Sequence, residues 1–259
     1  RDAQESRGLG DVYKRQPTEK VKAKVNNPRF LIIYGRPKTG KTSCVAALEN
    51  NLIIDLEGGS EFLDALAVQA RTVNDFADIA NAIREKIKET GKKPYKYITI
   101  DNATRLEEIC LPYAGTLYKA QPQGKSWQGT DVRLLPQGAG YQYIRLAVRK
   151  VIDMFKELTD NLILIGHTKD KMINKNGEDM TEMSLDLVGK LGDIICGEAD
   201  AVGFMYRKGN ETIINFDSKD ETTKGARAPH LREQKIVIAE SNENNELVFH
   251  WDRIYLPEV

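Results

Sequence analysis

Residues 35–42 read Gly35-Arg36-Pro37-Lys38-Thr39-Gly40-Lys41-Thr42 and match the pattern G-x-x-x-x-G-K-[ST] in full. The apolar run at residues 30–34 precedes this stretch and is typical of a strand buried on both faces of a parallel sheet. A helical pattern follows at about residues 41–49, and residues 51–55 have the pattern of a second buried strand. This order of strand, loop, helix and strand predicts a phosphate-binding loop inside a βαβ unit.

The chemistry of phosphate binding accounts for each part of this loop. Glycines let the backbone curl so that successive N–H groups face the phosphates, and the following helix directs its positive end at them. Lys41 is predicted to reach the β- and γ-phosphates, and the Thr42 hydroxyl to ligate Mg²⁺. The alternative is a purely structural glycine turn. The residues predicted to bind ATP are Gly35, Arg36, Pro37, Lys38, Thr39, Gly40, Lys41, Thr42 and Ser43.

Two carboxylates are predicted to complete the site. Asp101 follows the apolar residues 97–100, where a carboxylate can hold Mg²⁺, usually through water. Glu57 lies in the stretch D-L-E-G-G (residues 55–59), where it can polarise the water that attacks the γ-phosphate. We therefore predict Thr42 and Asp101 as metal ligands and Glu57 as the general base. The alternatives are that Asp101 caps a helix or forms a turn, and that Glu57 is a solvated loop residue.

His167 is a further candidate. It follows the apolar strand pattern at residues 162–165, which comes after a long helical pattern at about residues 139–159. We predict that His167 contacts the γ-phosphate and passes its presence to the polar segment beginning at Thr168. A single histidine at a strand end is otherwise a structural residue, and this alternative stays open.

The rest of the chain continues the alternation of helices and strands. Asn74 is the predicted N-cap of a helix that ends at Gly91. Residues 111–140 are rich in Gly, Gln and Pro and predict a long mobile loop, and residues 168–183 predict a second polar loop. The remaining patterns are a helix at 185–196 and strands at 201–206, 212–216, 235–239 and 247–250. Together they predict an α/β fold with a mostly parallel central sheet, flanking helices and a C-terminal β-hairpin extension.

Composition and charge narrow the class of protein. The 259 residues, 41% of them hydrophobic, predict one large domain at 17–259, after a polar, aperiodic leader at 1–16 that is disordered or non-native. Lys plus Arg and Asp plus Glu number 38 each, so net charge gives no support to long-range attraction to nucleic acid. The three cysteines are widely spaced, and no apolar run approaches the ~18 residues of a membrane helix. These features favour a cytoplasmic protein without a membrane partner.

A known family shares the motifs in this order. The chain resembles the RecA-like phage nucleotide-binding proteins of the AAA-domain family, which includes phage RecA-like recombinases that promote single-strand annealing. The resemblance extends from about Pro28 to His250. It rests on GRPKTGKTS (35–43), LIIDLEGGS (52–60), YITIDN (97–102), LILIGH (162–167) and GEADAVGFMYR (197–207).

The resemblance implies a role for each site residue. It implies a RecA-like fold, with Glu57 as catalytic base, Asp101 as the Walker B residue that holds Mg²⁺, and His167 as γ-phosphate sensor. It further implies a basic residue that reaches the ATP of a neighbouring subunit, for which Arg227, or alternatively Lys224, is the candidate.

The resemblance also implies partners. In RecA-like assemblies, loops after the third and fourth core strands bind single-stranded DNA, and these correspond to residues 111–140 and 168–183. The first segment combines the cations Lys119, Lys125 and Arg133 with Tyr118 and Trp127, a mixture that suits stacking on single strands, although a solvated loop remains the alternative. The family implies a homo-oligomer, a ring or a filament, and a single-strand-binding protein as a further partner. If the chain is phage-encoded, it acts in the cytoplasm of a bacterial host.

Two functions follow from these expectations. The first is an ATPase of DNA recombination or single-strand annealing that assembles on single-stranded DNA. The second is a nucleotide-driven switch, such as a helicase-loader or packaging accessory, whose partner is a protein. Stimulation of ATP hydrolysis by single-stranded DNA separates the two.

Overall fold

The computed structural model describes residues 26–175, 178–242 and 246–257, so the predicted leader at 1–16 lies outside the described residues. The described chain forms one sheet flanked by helices. Its strands are β1 (Phe30–Gly35), β2 (Asn51–Asp55), β3 (Ala67–Gln69), β4 (Tyr97–Asp101), β5 (Asn161–Lys175), β6 (Glu178–Leu185), β7 (Ala201–Lys208), β8 (Glu211–Asn215), β9 (Gly225–Ala226), β10 (Lys235–Ser241) and β11 (Leu247–Phe249). Its α-helices are α1 (Lys41–Ala46), α2 (Val73–Thr90), α3 (Ala103–Lys119), α4 (Gly140–Leu158) and α5 (Leu191–Glu198).

The strand order brings the predicted site residues to one edge of the sheet. The order is β11-β10-β8-β7-β1-β5-β4-β2-β3, with β6 paired to β5 and β9 paired to β7. Strands β7, β1, β5, β4, β2 and β3 are parallel, so their carboxyl ends meet at the same edge. In this register Gly35 lies opposite His167, and Asp101 lies opposite Asp55.

Each face of the sheet has its own apolar core, because successive side chains of a buried strand point to opposite faces. Ile32 and Tyr34 of β1 pack with helices α2 to α5, whereas Leu31 and Ile33 pack with α1 and the C-terminal segment. The Trp251 indole N–H donates to the Cys44 carbonyl at 2.8 Å and so joins that segment to α1. Helix α1, which follows the P-loop, is thereby covered by the C-terminal segment of the described chain.

The predicted α/β fold with a mostly parallel central sheet, flanking helices and C-terminal hairpins is confirmed. The long helix at 139–159 is confirmed as α4. Helix α2 is capped by the Thr72 side chain, which accepts from the Asp75 N–H, so the predicted Asn74 cap is wrong. In the described part, no helix combines the length and apolar character that crossing a membrane requires.

The first predicted loop is wrong for residues 111–119, which belong to α3, while residues 120–139 contain only turns and short 3-10 helices; the second predicted loop is wrong. Helix α3 continues to Lys119, and the following short turns bury Val132 and Leu135 in the core. Residues 168–175 and 178–183 belong to an antiparallel hairpin of β5 and β6, with Thr168 opposite Leu185. The helix predicted at 185–196 starts later, at α5, because Leu185 is the last residue of β6.

Candidate active site

The backbone of the P-loop requires glycine at two positions. Gly40 has a φ of 93°, a left-handed conformation that other residues rarely adopt. At Gly35 an added Cβ would lie 2.3 Å from the carbonyl oxygen of Met205, which is too close for any side chain. The glycines that the sequence pattern identified therefore have separate structural reasons, a turn and a close strand contact.

Lys41 lies buried beneath this loop, with 5% of its surface exposed. Its ammonium donates to the carbonyl oxygens of Gly35 at 3.0 Å and Arg36 at 2.8 Å. Burial lowers the pKa of Lys41 to about 8, although the nearby charges of Asp101 and Glu57 act in the opposite direction. The cation is thus held at the loop and near two of the predicted site carboxylates.

Thr42 and Asp101 are in direct contact. The Thr42 hydroxyl donates to Asp101 Oδ2 at 2.6 Å. Burial raises the pKa of Asp101 to about 6, and the negative charges of Asp55 and Glu57 add to this, while the bond from Thr42 opposes it. Hydroxyl and carboxylate oxygens are the ligands that Mg²⁺ prefers, and a cation here would relieve the cost of burying the carboxylate. The pair therefore fits the predicted metal site.

Asp55 positions the loop that carries Glu57. Its carboxylate accepts from the backbone N–H groups of Glu57 at 2.9 Å, Gly58 at 2.7 Å and Ser60 at 2.8 Å, and from the Ser60 hydroxyl. Burial alone would raise the pKa of Asp55, but these hydrogen bonds outweigh it and hold the pKa below its usual value. Asp55, which sequence reasoning gave no role, thus fixes the backbone of the predicted general base.

Glu57, His167 and Asn102 form a polar group at the edge of the site. His167 Nε2 lies 3.9 Å from Glu57 Oε2 and 3.1 Å from Asn102 Nδ2. Asn102 Oδ1 also accepts from the Arg105 N–H and caps helix α3. His167 does not end its strand as predicted, because β5 continues beyond it into the hairpin.

Sequence reasoning assigned Asn102 no role beyond a turn. The signal that could have found it is its position directly after Asp101 at the end of β4. At that edge of a parallel sheet, side chains from several strands converge.

Arg227 and Lys224 lie apart from the other predicted site residues. Arg227 donates to the Gly197 carbonyl at 2.8 Å and contacts Asp200, whose carboxylate also accepts from the Phe30 N–H at the amino end of β1. Arg227 is thus near the end of β1 opposite the P-loop, with 64% of its side chain exposed. Lys224 is buried and paired with Asp220, so of the two candidates Arg227 is the exposed one.

The phosphate loop, its buried lysine and the parallel sheet define a P-loop NTPase. Residues 27–228 match the family model described as AAA domain, and the chain belongs to that family. Among solved structures, the chain is similar to one described as the crystal structure of the RadB recombinase, with 11% sequence identity and a TM-score of 0.43. That alignment covers 85% of this chain and 90% of the other. A comparison with curated protein sequences gave no match.

The lowered pKa of Lys41 predicts a pH dependence of ATP binding. In the free protein Lys41 loses its proton as the pH rises through about 8, whereas a bound triphosphate favours the ammonium form. Binding then takes up a proton, so we expect ATP affinity to fall by up to about tenfold per pH unit between about pH 8 and 9.5. Titrations with a fluorescent ATP analogue measure this, and constant affinity across the range contradicts it.

Proposed function

We propose that the protein is a Mg²⁺-dependent ATPase that works as a homo-oligomer in DNA recombination or single-strand annealing. One observation carries the catalytic part of this proposal. Lys41, the pair of Thr42 with Asp101, and Glu57 come from different segments and meet at one edge of the sheet. This combination can bind a triphosphate, hold its metal ion and accept a proton from the attacking water.

Each residue has one task in the proposed reaction. Lys41 releases its contacts with the loop carbonyls and binds the β- and γ-phosphate oxygens. Thr42 and Asp101 would hold Mg²⁺, which would offset charge on the phosphates. Glu57 accepts a proton from the water that attacks the γ-phosphorus, and the bond to the β–γ bridging oxygen breaks to give ADP and phosphate. His167, placed by Asn102, contacts the γ-phosphate or the water beside Glu57.

We propose the β5–β6 hairpin as the element that meets single-stranded DNA. His167 directly precedes the first hairpin pair, Thr168 with Leu185, and the Asp186 N–H donates to the His167 carbonyl at 2.9 Å. A change in the position of His167 when the γ-phosphate is lost would therefore act directly on the first residue pair of the β5–β6 hairpin. This placement, together with the family resemblance, supports the assignment.

The segment at residues 111–140 supports DNA binding less well. Tyr118 packs edge-on against Trp127 and Tyr143, at 5.3 and 5.2 Å between ring centroids, and Lys119 lies over the Trp127 ring. These rings stabilise the contact of α3 with α4 and the following turns. A stacking platform for bases needs ring faces open to solvent.

A specific observation favours the second candidate, a nucleotide switch with a protein partner. The hairpin exposes Met172, with 74% of its surface accessible, and the nearby residues Lys169 and Asp170 carry opposite charges. An exposed methionine beside balanced charges suits a protein surface better than a phosphate backbone.

Steady-state ATP hydrolysis with and without oligo(dT) distinguishes the two candidates. We expect single-stranded DNA to raise the turnover rate several-fold, duplex DNA to raise it less, and added salt to reduce the effect because phosphate contacts release counterions. Met172→Ala is expected to leave this stimulation in place. If the protein binds ATP but its turnover rate at low salt is the same with and without single-stranded DNA, the nucleotide switch with a protein partner is favoured.

A further inference from the structure

Phe62 is the most exposed large apolar residue in the described ranges, with 89% of its surface accessible. It ends the short 3-10 helix Gly59–Phe62, directly after the loop of Glu57. Ser60 in that helix is buried and bound to Asp55, and the Leu63 N–H donates to the Ser60 carbonyl at 3.0 Å. Phe62 is therefore held at a defined place beside the site.

The surroundings of Phe62 combine apolar and acidic character. Glu61 and Asp64 are exposed on either side of it, and Leu66 has 57% of its surface accessible. We call residues 61–66 the Phe62 knob. An exposed aromatic side chain flanked by carboxylates has the composition of an interface anchor with a charged rim.

A cleft with complementary character lies between α5, β9 and the segment before β10. It has a volume of about 620 Å³. Its apolar lining includes the partly exposed Cys196 and Ala226 above the buried Val202 and Phe216. The exposed cations Arg227 and Arg232 also line it. We call it the α5–β9 cleft.

Three carboxylates line this cleft, those of Asp193, Asp200 and Glu233, and each is already engaged within the chain. Asp200 accepts from Arg227 and from the backbone N–H groups at the start of β1, and Glu233 pairs with Lys219 at 3.3 Å. Arg227 uses two of its five N–H donors on Gly197 and Asp200. The cleft can therefore still present cationic donors to an incoming acidic surface.

We propose that the Phe62 knob of one copy of this chain inserts into the α5–β9 cleft of the next copy. The cleft has room for one phenyl ring, whose burial anchors the contact, and Glu61 and Asp64 meet Arg227 and Arg232. This inference rests on the proposed function, because it brings Arg227 of one copy beside the Glu57 loop of its neighbour. Hydrolysis then requires an assembled pair of chains.

The knob and the cleft of a single chain cannot meet. The knob follows β2 and the cleft lies over β7, and four inter-strand steps separate these strands, about 19 Å. The contact is therefore head to tail and uses two different surfaces. Such a contact builds a ring or an open filament.

Phe62→Ala tests the knob, with Leu134→Ala as the matched control. Leu134 is an equally exposed apolar residue, with 83% of its surface accessible, outside the proposed contact. Sedimentation velocity with Mg²⁺ and a non-hydrolysable ATP analogue should show association weakened by about 30-fold or more in Phe62→Ala and unchanged in Leu134→Ala. The analogue's affinity for the monomer should be the same in all three proteins.

Gly197→Trp tests the cleft. Gly197 lines the cleft, and an added Cβ there has no neighbour within 4 Å, so a larger side chain at this position should obstruct the cleft. Alone, this variant should also fail to assemble. Mixed with Phe62→Ala protein it should form one-to-one dimers that grow no further, because each chain then retains one working surface.

The mixed dimer also tests which chain supplies Arg227. Its single composite site has Glu57 from the Gly197→Trp chain and Arg227 from the Phe62→Ala chain, so hydrolysis should return in the mixture. Adding Arg227→Ala to the Phe62→Ala chain should abolish the recovered hydrolysis, and adding it to the other chain should not.

Three results with the variants overturn the inference. The first is that Phe62→Ala assembles normally. The second is that a mixture of the two folded variants stays monomeric, and the third is that the recovered hydrolysis is the same whichever chain carries Arg227→Ala. A protein that binds ATP but stays monomeric under all conditions also overturns the contact, while the nucleotide site stands. Failure to bind ATP at all would instead contradict the proposed function.

Discussion

Lys41→Ala is expected to weaken ATP binding by about 10²-fold or more and to abolish measurable turnover. The buried ammonium is the main point charge available to the β- and γ-phosphates, and removing one partner of a buried charged contact costs about 2–5 kcal/mol. Isothermal titration with ATP and Mg²⁺, together with steady-state turnover, measures both effects.

Two controls separate loss of the charge from loss of the fold. Lys86→Ala makes the same chemical change at an exposed position of α2 and should leave ATP affinity unaltered. The Lys41→Ala protein should retain its circular dichroism spectrum, because the change removes the hydrogen bonds of one side chain only, and Arg36, one of the two residues whose carbonyl loses its donor, is exposed. If ATP affinity and turnover are unaltered in Lys41→Ala, residues 35–42 are not the phosphate-binding loop.

The sequence was sufficient to predict the phosphate loop and the central strands because both are local signals. A left-handed glycine at Gly40 and a strand without polar positions at β1 are visible within a few residues. The partners of Asp101 also followed from the pattern, since strand ends that precede polar residues converge in a parallel sheet. The residue types at the strand ends and the order of the strands in the sheet therefore predict the same site.

The contacts of Asn102 and Phe62 could not be read in the same way. Asn102 meets His167 only because β4 and β5 are neighbours in the sheet, a pairing between segments 65 residues apart. The exposure of Phe62 depends on Asp55 holding Ser60, so a residue that reads as apolar core becomes a surface feature. Both outcomes depend on tertiary contacts.

The two misread loops have a similar cause. The pattern of α3 is interrupted by Pro112, yet the helix continues through it because neighbouring contacts bury Leu106, Ile109 and Ala114. The hairpin of β5 and β6 carries polar residues on both sides of its register, so the alternation that identifies a half-buried strand is missing. Tertiary packing fixes the helix at α3 and cross-strand pairing fixes the hairpin of β5 and β6, although the local composition of both segments is typical of loops.

Glu57→Gln is expected to keep ATP and Mg²⁺ binding while lowering the turnover rate by at least about 10²-fold, the usual contribution of a general base. An amide has the shape of the carboxylate but cannot accept a proton from the attacking water. Single-turnover hydrolysis of prebound ATP measures the chemical step directly, and titration with a non-hydrolysable analogue measures binding. Glu85→Gln, the same change at an exposed position of α2, is the matched control.

The charge of Glu57 explains why binding should survive this substitution. Glu57 adds to the raised pKa of Asp101, so its neutral replacement should lower that pKa and keep Asp101 ionised over a wider pH range. Affinity for Mg²⁺ with nucleotide near pH 6 should therefore be equal to or higher than that of the unmodified protein, while hydrolysis is lost. Near-normal turnover in Glu57→Gln would move the base to another group, and His167, 3.9 Å away, is the first to test. Loss of both binding and hydrolysis would instead show that the Glu57 side chain supports the fold of its loop. We do not expect this result, because the backbone N–H groups of Glu57 and Gly58 donate to Asp55 and these bonds do not involve the Glu57 side chain.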